Sequence, residues 1–184
     1  MDKAALRHQL IAQRAALTPH EVDRASGAVC RHLAAWPPFQ RAATVMAYLA
    51  FRNEVSLQPL IDDHPHKLWA LPRTLPGGVL SVCRYQPGRL VRHPFGMPEP
   101  APDAPLVSLD AIDLLLLPGV AFDRFGGRLG FGGGCYDRLL PLLAAPRVGV
   151  AHALDPLLVL PMHEHDCRMG WVVSPAGIIR CQTP

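Results

Sequence analysis

The chain of 184 residues is 49% hydrophobic and 18% charged, enough apolar material for a buried core and too little charge for a disordered segment. Its net charge of +3 comes from arginines spread along the chain without a basic block or interleaved aromatics, which argues against a bulk nucleic-acid partner and leaves small anions. The five cysteines never form a C-x-x-C pair, against a disulfide framework or structural zinc site, and no apolar run is long enough to span a bilayer.

Residues 1–14 alternate charged and apolar positions and lack the apolar stretch of a secretory signal, so a cytoplasmic protein is expected. A first helix is predicted over 3–17, because Leu6, Leu10 and Leu17 fall on one stripe, and Lys3, Arg7 and Arg14 project into the same arc. Two readings stay open: long basic stems lying along a buried face, or a ridge of cations aimed at a bound anion. Thr18-Pro19-His20-Glu21 is a capping box with proline at the first helical position. It predicts a second helix that turns Val22, Ala25, Val29 and Leu33 inward and ends at Pro37 and Pro38.

Six short apolar or β-branched runs then read as strands: 44–49, 67–71, 79–85, 113–117, 148–151 and 171–173. Several lack polar alternation, as strands do when helices cover both faces. With further helices after Ser56 and over 135–143, the expected fold is a single α/β domain, three layers with a central mixed, largely parallel sheet. Its helical arm would cover 3–35 and its sheet core and glycine loop 44–184.

The strand at 113–117 leads through Pro118-Gly119 into a loop with six glycines between Gly126 and Gly134, and then into the helix near Cys135. Strand, glycine loop and helix start form a phosphate-holding arrangement, because glycines let backbone N–H groups approach the ligand. The loop lacks the G-K-[ST] of a Walker motif and the last glycine of a dinucleotide fingerprint. Arg128, Tyr136, Asp137 and Arg138 crowd its two ends, which a mere hinge does not need. Asp137 suits either the helix dipole or a Mg²⁺ ion beside phosphates. His163-Glu164-His165-Asp166 invites a transition-metal reading, but Pro161 and the polar run indicate a loop, and only Asp166 is retained.

The run PGVAFDRFGGRLGFGGGCYDR resembles the signature of the 5-formyltetrahydrofolate cyclo-ligase family, also called methenyltetrahydrofolate synthetases. The resemblance extends in order through Lys3 and Arg7, the segment from Tyr48 to Glu54, Leu71-Pro72-Arg73, the run from Phe95 to Pro100, the glycine loop, and His165-Asp166. It implies an enzyme that uses ATP and Mg²⁺ to convert 5-formyltetrahydrofolate to 5,10-methenyltetrahydrofolate through a phosphorylated formyl oxygen and attack by N10.

Carried over position by position, Lys3, Arg7, Arg128 and the backbone of Gly130, Gly132, Gly133 and Gly134 match the ATP site, with Cys135 and Tyr136 beside them. Arg128 and Tyr136 are the catalytic assignments, and Asp137 and Asp166 match the magnesium carboxylates. Leu49, Glu54, Gly133 and Cys135 match the folate contacts, where Glu54 would accept from the pterin donor edge. This sequence departs from the pattern at three places: Phe131 replaces a usual arginine, Cys135 the first of two tyrosines, and Gly170 a frequent aspartate. A monomer is expected. The rival readings are a non-catalytic folate- or nucleotide-binding relative, against which the two retained carboxylates speak, and an RNA-binding protein, suggested only by the arginine content.

Overall fold

A computed structural model describes residues 2–182 apart from Pro156 and His165, so the family match at His165 lies outside the described residues. Helix α1 (Lys3–Ala15) starts at Asp2, whose carboxylate accepts from the amides of Ala4 and Ala5 and so satisfies two donors that a helix start leaves open. It stops at Ala15, two residues before the expected end, ahead of Thr18 and its capping box. Helix α2 (Pro19–Ala35) opens on that box: Thr18 Oγ1 accepts from the Glu21 amide at 3.3 Å and Glu21 Oε2 accepts from the Thr18 amide at 2.8 Å. Val29 and Leu33 are fully buried as the stripe predicts, Ser26 and Cys30 join them, and Val22 and Ala25 are half-buried. Pro37 and Pro38 end α2 and also start a short helix, α3 (Pro37–Arg41), because proline suits the first helical turn.

After β1 (Thr44–Met46) and α4 (Gln58–Asp63), β2 (Leu68–Leu75) runs four residues beyond its expected end and turns back into β3 (Val79–Arg84). A small hairpin of β4 (Leu90–Arg92) and β5 (Pro98–Pro100) follows, then β6 (Leu114–Leu117) and a ribbon of β7 (Ala121–Phe122) and β8 (Arg128–Leu129). Helix α5 (Cys135–Leu139) is shorter than the span to 143 predicted for it. Pro141 has no N–H to continue the ladder, and the chain passes into a single 3₁₀ turn at Leu140–Leu142. Strands β9 (Arg147–Val150), β10 (Trp171–Ser174) and β11 (Gly177–Arg180) complete the chain.

Seven strands form one sheet in the order β11, β10, β9, β6, β1, β2, β3. The central neighbours run parallel, and β2 with β3 and β10 with β11 are the antiparallel edges, so the mixed, largely parallel sheet stands as expected. Alternate residues feed two cores. Val45, Leu114, Leu116 and Val148 pack against α2, α3 and α4, whereas Met46, Leu115, Leu117 and Val172 pack against Leu139, Leu140 and Phe122. The four leucines of β6 are at most 1% exposed, and each such burial contributes about 2 kcal/mol. Helix α1 belongs to neither face. Its Leu6 packs with Leu129 and Leu160, which places the helix beside the glycine loop.

From β1 the chain proceeds to β2 on one flank and later returns to β6 on the other. The carboxyl ends of β1 and β6 thus flank a switch point, where open α/β sheets leave a crevice for ligands. No helix among the described residues is long and apolar enough to cross a membrane.

Candidate functional site

A cavity of about 1230 Å³ fills that crevice. The segment after β1 lines one side with Leu49 and Glu54. Facing it are Arg128, Gly130, Gly132, Gly133, Gly134, Cys135, Tyr136 and Asp137, while α1 adds Lys3 and Arg7, and Asp166 comes from the segment before β10. Every site residue expected from the sequence therefore reaches the same cavity.

At the charged end, Arg128 comes from β8 and α5 follows within a few residues, so the loop between them folds tightly back. Gly132 has φ 103° and Gly134, the cap of α5, has φ 63°, left-handed conformations that a side chain would strain. Arg7 Nε donates to the Gly130 carbonyl at 2.7 Å, tying α1 to the loop. Arg128 Nη2 donates to Asp137 Oδ1 at 2.8 Å, its guanidinium stands over the Tyr136 ring at 5.4 Å, and its buried Nε has no hydrogen-bond partner among the described residues. Lys3 Nζ meets Asp166 Oδ2 at 2.5 Å, and that oxygen also accepts from the His163 amide at 2.7 Å. Burial pushes the Tyr136 phenol above its ordinary range, and the charge of Glu54 adds to the effect.

The rest of the lining is more apolar, with Leu49, Leu71, Leu75, Leu80, Phe95 and Met97. Two carboxylates stand among them. Glu54, 8% exposed, has its carboxyl pushed up to about 7 by burial, against the Phe51 amide that donates to it at 3.0 Å and the nearby Arg14. It follows two consecutive left-handed residues, Arg52 at φ 50° and Asn53 at φ 56°, a costly turn held from outside. Asn53 Nδ2 donates to the carbonyls of Arg14 and Leu17, and His152 Nε2 lies 2.6 Å from the Asn53 carbonyl. Tyr48 closes the loop by donating its hydroxyl to the Val55 carbonyl at 2.8 Å. The second carboxylate, Glu99 on β5, accepts from the Thr74 hydroxyl at 2.5 Å and the Thr74 amide at 3.2 Å.

Sequence reasoning left Glu99 and Arg138 without roles. Arg138 Nη2 donates to the carbonyls of Gly78 and Gly77, so α5 clasps the tip of the β2–β3 hairpin. A glutamate between prolines on an otherwise apolar motif was the available signal for Glu99. Gly170 lies away from the cavity, where its amide donates to the Arg147 carbonyl at 3.0 Å at the start of β10.

Residues 1–175 match the family model described as the 5-formyltetrahydrofolate cyclo-ligase family. The chain belongs to that family. The 5-formyltetrahydrofolate cyclo-ligase of Escherichia coli (strain K12) is 34% identical over 179 residues, covering 90% of this chain and 96% of its own. That of Mycolicibacterium smegmatis is 35% identical over 147 residues, covering 74% of this chain and 76% of its own. The solution structure of Aquifex aeolicus 5,10-methenyltetrahydrofolate synthetase matches with a TM-score of 0.87 at 32% identity, covering 100% of this cyclo-ligase and 95% of that chain.

Within the cyclo-ligase site the donor set suits a hard cation. Asp137 and Asp166 offer carboxylate oxygens to one cavity, and among the described residues no group of three or more His, Cys, Asp or Glu stands ready to hold a metal unaided.

Proposed function

We propose that this cyclo-ligase phosphorylates the formyl oxygen of 5-formyltetrahydrofolate with the terminal phosphoryl group of ATP, releasing ADP. N10 then attacks the activated carbon and gives up its proton, the C–O bond breaks, phosphate leaves, and 5,10-methenyltetrahydrofolate is formed. A formamide is a poor electrophile and hydroxide a poor leaving group, so phosphorylation supplies both deficits. Catalysis of such a transfer is mostly positioning and charge neutralisation.

The observation that carries this reading is the convergence of Lys3, Arg7, Arg128, Asp137 and Asp166 on one cavity that Glu54 and a set of apolar side chains also line. In this reading the triphosphate lies along Gly130–Gly134 with Lys3, Arg7 and Arg128 offsetting its charge. Tyr136 and Arg128 flank the transferred group, while Leu49, Gly133, Cys135 and Glu54 hold the folate. Asp137 and Asp166 would hold magnesium, which when bound neutralises part of the triphosphate charge. Each ion pair, Lys3 with Asp166 and Arg128 with Asp137, joins a phosphate residue to a magnesium residue. The protein thus carries both halves of the charge balance that its cosubstrate brings, and buried charges without partners would be costly.

The test incubates purified protein with 5-formyltetrahydrofolate, ATP and Mg²⁺. The near-ultraviolet absorbance of the methenyl product is expected to grow, and to fail when ATP or Mg²⁺ is omitted. Growth without ATP would contradict the phosphorylation step.

A further inference from the structure

Of the four acids among the described residues that line the cavity, Glu99 alone has no part in the proposed function. It sits on β5 between Pro98 and Pro100 and is 6% exposed. Oε1 accepts twice from Thr74 of β2, from the hydroxyl at 2.5 Å and from the amide at 3.2 Å. Among the described residues Oε2 has no hydrogen bond and the carboxylate no ion pair, and the exposure that remains to the side chain is onto the cavity it lines. A buried anion with one oxygen satisfied and no cation beside it is costly until a donor meets the other.

The elements around Glu99 favour the folate over the triphosphate. Strands β2 and β3 and the β4–β5 hairpin bring Leu71, Leu75, Leu80 and Met97 to the cavity and no lysine or arginine, whereas Lys3, Arg7 and Arg128 come from α1 and β8. A carboxylate without a cation repels a polyphosphate. The hairpin also leans on the segment that carries Glu54. Gly96 at its tip lies so near Phe51 that a Cβ there would stand 3.4 Å from Cε2 of the ring, and the Phe51 amide is the donor that holds the Glu54 carboxyl. One hairpin thus fixes Glu99 to Thr74 on one side and touches the Glu54 segment on the other.

We propose that Glu99 is a second folate-binding carboxylate: Thr74 pins Oε1 so that Oε2 is presented to the cavity as an acceptor for an N–H of the folate other than the edge that Glu54 takes. The inference rests on the cavity being the folate site. 5-Formyltetrahydrofolate offers N–H groups at N3, N8 and N10 besides its 2-amino group, more than one carboxylate can satisfy.

The experiment compares the wild type, Glu99→Gln and Thr74→Val. Glutamine keeps the size of the side chain, and the Thr74 amide, which can only donate, holds the glutamine oxygen where Oε1 stands, so an NH₂ donor replaces the acceptor that faces the cavity. KM for 5-formyltetrahydrofolate should rise by about 10- to 100-fold, because a charge-assisted bond is lost and two donors confront each other, while KM for ATP changes by less than about threefold. Binding of 5-formyltetrahydrofolate in the absence of ATP, followed by calorimetry, should weaken to the same extent. Thr74→Val keeps the amide and leaves Oε2 in place, so it should raise the folate KM by no more than about threefold. The proposal is overturned if Glu99→Gln leaves the folate KM unchanged or raises KM for ATP as much. It is equally overturned if Thr74→Val is as harmful as Glu99→Gln, the result expected of a carboxylate that only ties β5 to β2. A wild type that binds 5-formyltetrahydrofolate but forms no methenyl product would sink the phosphorylation reading, and the calorimetric comparison would still decide the role of Glu99.

Discussion

Lys3 and Asp166 stand 163 positions apart in sequence and meet at 2.5 Å, so the first turn of α1 is fastened to the segment before β10 across the mouth of the charged end. The Lys3 side chain is 18% exposed and that of Asp166 9%, so solvent screens the pair only partly. Under the proposed function, replacing Lys3 by Met removes a cation from the triphosphate, and it parts Asp166 from this partner. A charged hydrogen bond contributes about 1.5–3 kcal/mol, so KM for ATP should rise by about 10- to 100-fold. With the folate held by Leu49, Gly133, Cys135 and Glu54 as proposed, its KM should change by less than about threefold. Steady-state kinetics with each substrate varied separately decides this. An unchanged KM for ATP would remove Lys3 from the phosphate site.

Asp137 and Arg128 make the second such pair at 2.8 Å, with the Arg128 side chain 5% exposed. Asp137→Ala leaves that guanidinium buried with neither its carboxylate nor a partner for Nε. A cost of about 2–4 kcal/mol in unfolding free energy follows from stranding a buried charge. The same variant should need about tenfold more Mg²⁺ for half-maximal rate, because magnesium sites of this kind rest on one or two carboxylates. Denaturant titration and a magnesium series read the two effects separately. Normal turnover at limiting magnesium would contradict the metal assignment.

Glu54 makes the stability of the ligand-free protein depend on pH in a fixed direction. Its carboxyl ionises near 7 in the fold against an ordinary value of 4.5, so between those values the folded state binds more protons than the unfolded chain. The contribution is fully present below pH 4.5 and is lost as pH rises through about 7, a change of about 3 kcal/mol at most. Glu54→Gln keeps an acceptor for the Phe51 amide and removes the titration. Its unfolding free energy should exceed that of the wild type by about 2 kcal/mol at pH 8, with the difference gone near pH 4.5. A difference independent of pH would show that Glu54 titrates normally in the fold.

Much of the sheet could be read from the sequence because its strands are covered on both sides. Leu114 to Leu117 are apolar at every position, and no surface strand has that pattern. The capping box of α2 was equally legible, since both of its hydrogen bonds are local. The β4–β5 hairpin was not, because β5 reads Pro-Glu-Pro, and proline is tolerated in such a strand only where a neighbour makes few demands on its backbone. Strands β7 and β8 are two residues each, too short for any periodicity, and β11 is half exposed. Among the site residues the glycine loop and its flanking charges carried a local signal. Arg14 and Glu99 did not: a helical arc shows that a cation points inward but not what it meets, and Glu99 reaches the cavity only because β5 packs on Thr74 of β2.

Phe131 tests how the triphosphate charge of the proposed function is divided. Its side chain is 44% exposed on the cavity wall and presents its face to Arg14 at 5.0 Å. Phe131→Arg adds a cation beside the Gly130–Gly134 loop, so KM for ATP should fall by about three- to tenfold, with the gain shrinking as salt is raised, as expected of a partly exposed charge. The same change removes a cation–π contact of about 0.5–2 kcal/mol and puts a like charge against the buried Arg14, so the variant should melt several degrees lower. Tighter ATP binding bought with lower thermal stability, read by kinetics and calorimetry on one preparation, is the expected result. An unchanged KM for ATP would mean that Lys3, Arg7 and Arg128 already satisfy the triphosphate and that the aromatic at 131 is there for Arg14 alone.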